Sequence, residues 1–158
     1  MKRVFLFAIF YLITSQVVAQ KACFYTALDG FAPAVKIGME YRFTERWSLT
    51  ASGGAFVLGS ELISYNLFAS YRTSALEKPL FFTINFGLLD NYVAYHKNSY
   101  SFNFGIEPGM GYQFKNESRL LLRLGWIVGY SYEEGKSYVL DIPNFAIAFS
   151  IPFKRKTK

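Results

Sequence analysis

After residue 20 the chain alternates apolar and polar side chains with period two, the pattern of strands with one greasy and one polar face. The clearest stretch is 100–114, where Tyr100, Phe102, Phe104, Ile106, Pro108, Met110, Tyr112 and Phe114 oppose Ser101, Asn103, Gly105, Glu107, Gly109, Gly111 and Gln113. Residues 119–132 repeat it, with Leu120, Leu122, Leu124, Trp126, Val128, Tyr130 and Tyr132 against Arg119, Leu121, Arg123, Gly125, Ile127, Gly129 and Ser131. At 34–43, Val35, Ile37, Met39, Tyr41 and Phe43 oppose Lys36, Gly38, Glu40 and Arg42. Segments 47–57, 62–72 and 80–90 read the same way, a weaker strand falls at 22–31, and the last strand ends in Phe145, Ile147, Phe149, Ile151 and Phe153. The total is eight, and an even number lets a barrel close with both termini at one end.

The punctuation fits hairpins. Turns are predicted at 44–46, 73–79 and 115–118 on one side, and at Asp29–Pro33, Leu58–Glu61, Asp90–Ser99 and Glu133–Ser137 on the other. Only 90–99 is a loop of any size. Two prolines disturb the pattern. Pro108 lies mid-strand, where its missing donor breaks a ladder bond; Asp141 and Pro143 fall on the outward face, which predicts a bulge near Pro143 with 138–142 standing clear of the apolar band.

The first residues are of another kind. Lys2 and Arg3 precede an apolar run from Val4 to Ile13 and the small-residue pattern Val17-Val18-Ala19. A basic start, a short apolar stretch and a V-x-A site read as a secretory signal peptide over 1–19, cleaved after Ala19. The run falls short of the ~20 residues a membrane-spanning helix needs. Gln20, Lys21 and Ala22 before Cys23 do not form a lipobox, so Cys23 is expected to be an ordinary strand residue.

Charge and composition narrow the class. The formal net charge is +6, but Lys2, Arg3, Lys154, Arg155, Lys156 and Lys158 carry all of that excess. The body between them is neutral, so a basic groove for nucleic acid has no support. With 12 Tyr, 17 Phe and 2 Trp, apolar surface on this scale must be buried in protein or in lipid. One Cys excludes a disulfide scaffold, and with one His no metal-ligand cluster is available. No cofactor is expected.

Side-chain size decides which face looks outward. An eight-stranded barrel has an interior just wide enough for side chains to fill. The apolar face is crowded with Phe, Tyr, Trp and Leu, whereas the polar face is rich in glycine, serine and asparagine. The bulky face therefore fits outside and the small face inside, and an exterior of this kind belongs in lipid. Tyr41, Phe43, Trp47, Tyr71, Tyr112, Phe114 and Phe153 gather near one set of strand ends, and Tyr92, Tyr95, Tyr100, Tyr130, Tyr132 and Tyr138 near the other. Two aromatic girdles suit two membrane interfaces.

On these features the chain resembles, across residues 22–153, the small eight-stranded bacterial outer-membrane barrels of the OmpX and OmpA transmembrane-domain type. The resemblance implies an all-β, antiparallel, up-and-down transmembrane barrel over 20–153, in contact with outer-membrane lipid and inserted by the barrel-assembly machinery. That machinery recognises a terminal aromatic residue, for which Phe153 is the candidate, although the basic tail 154–158 follows it and would face the periplasm.

Two groups of residues carry candidate chemistry. Lys36, Glu40, Arg42, Glu107, Arg119 and Arg123 point to the narrow interior, where charges must pair. If 107 stands opposite 125, Arg123 is its diagonal neighbour within side-chain reach. Such a network is expected to plug the barrel. Tyr92, Tyr95, His96 and Lys97 sit in the long loop and are the candidate contacts for an extracellular partner. His96 with Ser99 invites comparison with outer-membrane lipid A deacylases and palmitoyltransferases, but H-x-x-S in a loop matches neither pattern, and no catalytic residue is assigned. The expected function is non-enzymatic, serving envelope integrity or surface contact. The alternatives are a small transport pore, a secreted lipocalin-like barrel binding a lipid, and a lipid A-modifying enzyme.

Overall fold

The computed structural model describes residues 21–29, 33–56, 62–73, 79–94, 99–133 and 136–153. The expected signal peptide, the tail 154–158 and the loop residues Tyr95, His96 and Lys97 lie outside them.

Alternating sequence becomes alternating burial. The strands are β1 (Lys21–Asp29), β2 (Ala34–Arg42), β3 (Trp47–Phe56), β4 (Leu62–Thr73), β5 (Leu80–Ala94), β6 (Ser99–Gln113), β7 (Arg119–Glu133) and β8 (Lys136–Pro152). Each pairs antiparallel with the next, and β8 pairs with β1, giving a closed up-and-down barrel. Closure matters because it leaves no row of unpaired backbone groups along the ladders it joins.

The closure is staggered. Followed across the ladders from Asp29, the register runs through Ala34, Phe56, Leu62, Ala94, Ser99 and Glu133 to Lys136. Yet Asp29 itself pairs with Ala146, ten residues further along β8. A shear of that size over eight strands tilts them by roughly 40° to the axis. The strands end level at the turn end, while at the loop end the wall climbs from β1 to β8. At roughly 2.5 Å of axial rise per residue, Lys136 stands roughly 25 Å beyond Ala146.

Three local features differ from the sequence pattern. First, β5 carries a bulge. Its pairing shifts by one residue between Leu67↔Leu88 and Tyr65↔Asn91 on one side, and between Leu88↔Phe104 and Val93↔Tyr100 on the other. The Asn91 side chain fills the gap, accepting from the Asn103 N–H at 2.7 Å and donating to the Asn103 carbonyl at 3.3 Å. Ser101 Oγ accepts from the Tyr92 N–H at 3.0 Å. The ladder thus continues to Ala94, and Tyr92 is a strand residue opposite Ser64, not a loop residue. Second, β7 and β8 remain in register from Arg119↔Ser150 to Glu133↔Lys136, so Pro143 pairs with Trp126 and the expected bulge does not occur. Pro143 lies past the last described β1–β8 pair, in the edge setting that tolerates a proline. Residues 133, 136 and 137 likewise belong to strands. Third, Asp29 ends β1 instead of opening a turn.

Pro108 acts as its chemistry requires. Bridges between β6 and β7 are missing from Ile106↔Trp126 to Gly109↔Arg123, with the register preserved. Glu107 therefore stands opposite Gly125.

Candidate functional site

The faces divide as side-chain size dictates. Leu124 is 68% exposed, Ile37 59% and Phe102 57%, whereas Lys36 and Glu107 are fully buried and Arg123 is 1% exposed. A water-soluble protein has the reverse distribution. Outside, aromatic rings meet at both ends. At the turn end Trp47 lies 4.8 Å from Tyr71, and Tyr112 5.0 Å from Phe114; at the loop end Tyr100 stacks on Tyr132 at 5.3 Å.

Inside, the polar side chains form two layers. In the upper one Arg123 links both acids, reaching Asp29 at 2.8 Å and Glu107 at 3.0 Å. Lys36 meets Asp29 at 3.0 Å and donates to Asn66 Oδ1 at 2.8 Å. Asn144 donates to Glu107 at 2.6 Å, and Arg123 donates to the Tyr25 hydroxyl at 3.0 Å. Two cations thus balance two anions, and Asn66, Asn144 and Tyr25 add hydrogen bonds to them. That is the condition under which buried charge is tolerated.

The lower layer belongs to the turn end. Glu40 pairs with Arg42 at 3.0 Å and with Arg119 at 3.5 Å. Arg42 also donates to Ser150 Oγ at 2.6 Å and to the Glu117 carbonyl at 3.0 Å. Arg72 donates to the Gln113 side-chain carbonyl. Glu117, on the 114–118 turn, has a positive φ of 66°. Such a conformation is uncommon for a residue with a side chain, and here the turn's carbonyl meets a lumen arginine.

Large apolar side chains share the lumen with these layers, which the expectation of a small-residue interior did not include. Phe68 and Phe81 are each 2% exposed, and Tyr25, Leu89 and Ile127 are also buried. The Arg123 guanidinium sits 4.6 Å from the Phe68 centroid and that of Arg72 4.4 Å from Phe81, so the rings also serve the cations. Glycines make the room. A Cβ on Gly111 would run into the Phe81 ring, and one on Gly87, whose φ is +147°, would lie 2.8 Å from Phe68 Cα. The free space of the lower lumen accessible to the centre of a water molecule is ≈ 30 Å³, room for roughly one or two waters.

All six lumen residues read from sequence, Lys36, Glu40, Arg42, Glu107, Arg119 and Arg123, thus face the interior and take part in these layers. The diagonal Glu107–Arg123 pair forms. Of the loop group, Tyr92 is the half-buried strand residue described above. Phe153 is exposed at the end of β8, its N–H donating to the Ala22 carbonyl at 3.0 Å. Sequence reasoning missed Asp29, the acid shared by Lys36 and Arg123. Its signal was available: it continues the inward series Cys23, Tyr25, Ala27. Asn66, Asn144 and Arg72 carry no comparable signal, because a polar residue on an inward face names no partner.

No family model matches the chain, and no curated protein does. Among solved structures, the solution NMR structure of the de novo designed TMB2.3 is similar, with 12% sequence identity, a TM-score of 0.45, and coverage of 86% of this chain and 96% of that one.

Proposed function

We propose that this chain is a non-enzymatic β-barrel protein of the bacterial outer membrane, plugged along its axis, serving envelope integrity or surface contact through its loop end. The observation that carries the reading is the inverted distribution of side chains: large apolar residues cover the outside while ionised ones fill the inside. A barrel of roughly 40° tilt spans a ~25 Å hydrocarbon band with about ten residues per strand, the scale of the shorter strands here. The aromatic rings at both ends support two interfaces. The N-terminal signal pattern supports export, and Phe153 at the last strand's end suits recognition by the assembly machinery. Closed ion-pair layers and a void of water size favour a plug over a pore. Tyr95, His96 and Lys97, with the neighbouring loop-end connections, are the proposed contact surface, and the basic tail would touch anionic headgroups or a periplasmic partner.

Membrane fractionation, followed by electrophoresis of unheated and boiled samples in mild detergent, tests this. The expected result is recovery in the outer-membrane fraction with a mobility shift on boiling, as a closed barrel opens. A protein soluble without detergent and showing no shift would overturn the reading.

A further inference from the structure

Among the described residues, the turn-end half of the lumen holds more cations than carboxylates. Arg42, Arg72 and Arg119 project into it, and Arg46 lines the same cavity at its mouth. Within, Glu40 is shared between Arg42 and Arg119. The nearest other acids among the described residues are on the rim, where Glu45 acts on Arg72 and Glu117 is bonded to Lys21. Counting the rim residues Lys21 and Lys115 with the four arginines, six cations among the described residues face three carboxylates. The upper layer, by contrast, balances.

Geometry concentrates the excess. Arg72 and Arg119 address the same Phe81 ring, their guanidinium carbons 4.4 Å and 5.6 Å from its centroid, so the two carbons lie within about 10 Å of each other, no further than one Debye length at 0.1 M salt. The buried Nε–H groups of Arg42 and Arg119 have no acceptor. Unsatisfied donors on buried cations are costly, and an acceptor from solution would relieve them. Arg119 lines the cavity together with Arg46 and Arg72, and its walls add the hydroxyls of Ser48 and Thr50.

We infer that a phosphate-class dianion binds at the outer rim of this mouth, outside the water-sized void, beside the exposed Arg46 and with the Arg72 and Arg119 guanidiniums behind it. An excess of cations attracts an anion, and the forked donors of guanidinium suit tetrahedral oxyanions. The same chemistry could come from free phosphate or from the phosphomonoester headgroup of a lipid at the rim. The inference depends on the barrel and not on where the barrel resides.

The test uses the full folded chain in uncharged detergent, following the arginine Nε–H signals by NMR. Sodium phosphate is titrated against sodium chloride of equal ionic strength, and in a second arm phosphatidic acid is added to the micelles. A saturable movement of the Arg42 and Arg119 signals is expected, weakened about tenfold in Arg72→Gln and in Arg46→Gln. Response to inorganic phosphate would assign a soluble ligand, and response to phosphatidic acid alone a lipid headgroup; either supports the site. Saturation by neither probe, or equal binding in both variants, would overturn it. Arg46 is exposed, so its variant leaves the lumen intact should Arg72→Gln fail to fold. Phosphate binding without the gel shift would sink the membrane reading alone.

Discussion

The charges of the upper layer are held by their neighbours, and Arg123 most of all. It joins Asp29 and Glu107 and lies over Phe68. Removing it leaves two buried carboxylates short of a cation, a loss of about 3–5 kcal/mol for a buried pair broken on one side. Arg123→Ala should therefore lower the temperature at which the unheated gel mobility is lost; an unchanged transition would show that the layer does not hold the barrel together. At the exposed turn the stakes are smaller. Lys21's hydrogen bond holds the Glu117 carboxyl below the usual carboxylate range, against a smaller upward push from burial. A depressed acid stabilises the fold above its unfolded pKa and loses that contribution as pH falls through its folded one. Both partners are nearly half exposed, so the effect is modest and screened by salt. Melting curves of the native chain and Glu117→Gln should differ at neutral pH and converge as the pH falls below the ordinary carboxylate range and this carboxyl is protonated in the fold. A difference that persists in acid would assign the effect to something other than this carboxylate.

At the scale of the element, β5 shows how one side chain can keep a strand running. Its bulge interrupts the β5–β6 pairing between Leu88↔Phe104 and Val93↔Tyr100, and there the Asn91 amide gives the Asn103 backbone both an acceptor and a donor. Asn91→Ala should cost about 1–3 kcal/mol and speed hydrogen exchange at the Asn103 amide, with residues beyond Leu88 affected first. Equal exchange in the two proteins would mean that the bulge is satisfied some other way. The same element marks where periodicity is a poor guide. An extra residue changes which face every later side chain takes, so Tyr92 reads as loop from sequence and is strand in the fold. Pro143 errs in the opposite direction. Its residue type suggests an irregularity, but the edge position that makes it harmless is visible only once β1 has closed on β8.

For the whole molecule, the layered lumen makes a prediction about conductance. The native chain in planar bilayers should show no steady conductance, and Arg123→Ala combined with Glu107→Ala should admit ions if the upper layer is the seal. Steady conductance of the native chain would show that the plug leaks. The strand-length asymmetry belongs to this scale too. A shear of ten residues with a level turn end raises the β8 side of the loop end well above the β1 side. That end is thus a slanted wall, not a ring, and its upper part is the surface a partner would meet first.

By itself the sequence determined the strand count, the facing of most residues and the candidate lumen charges. Period-two alternation is a local property, and interior size allows one assignment of bulky and small faces. Only the tertiary structure decided the partners. Asp29 lies 94 residues from Arg123 and Glu40 79 from Arg119, and what brings each pair together is the closure of β8 on β1 at one particular stagger. The gathering of Arg42 and Arg119 around Glu40 follows from the same closure. Shear is a sum over eight registers, and no single segment of the chain encodes it.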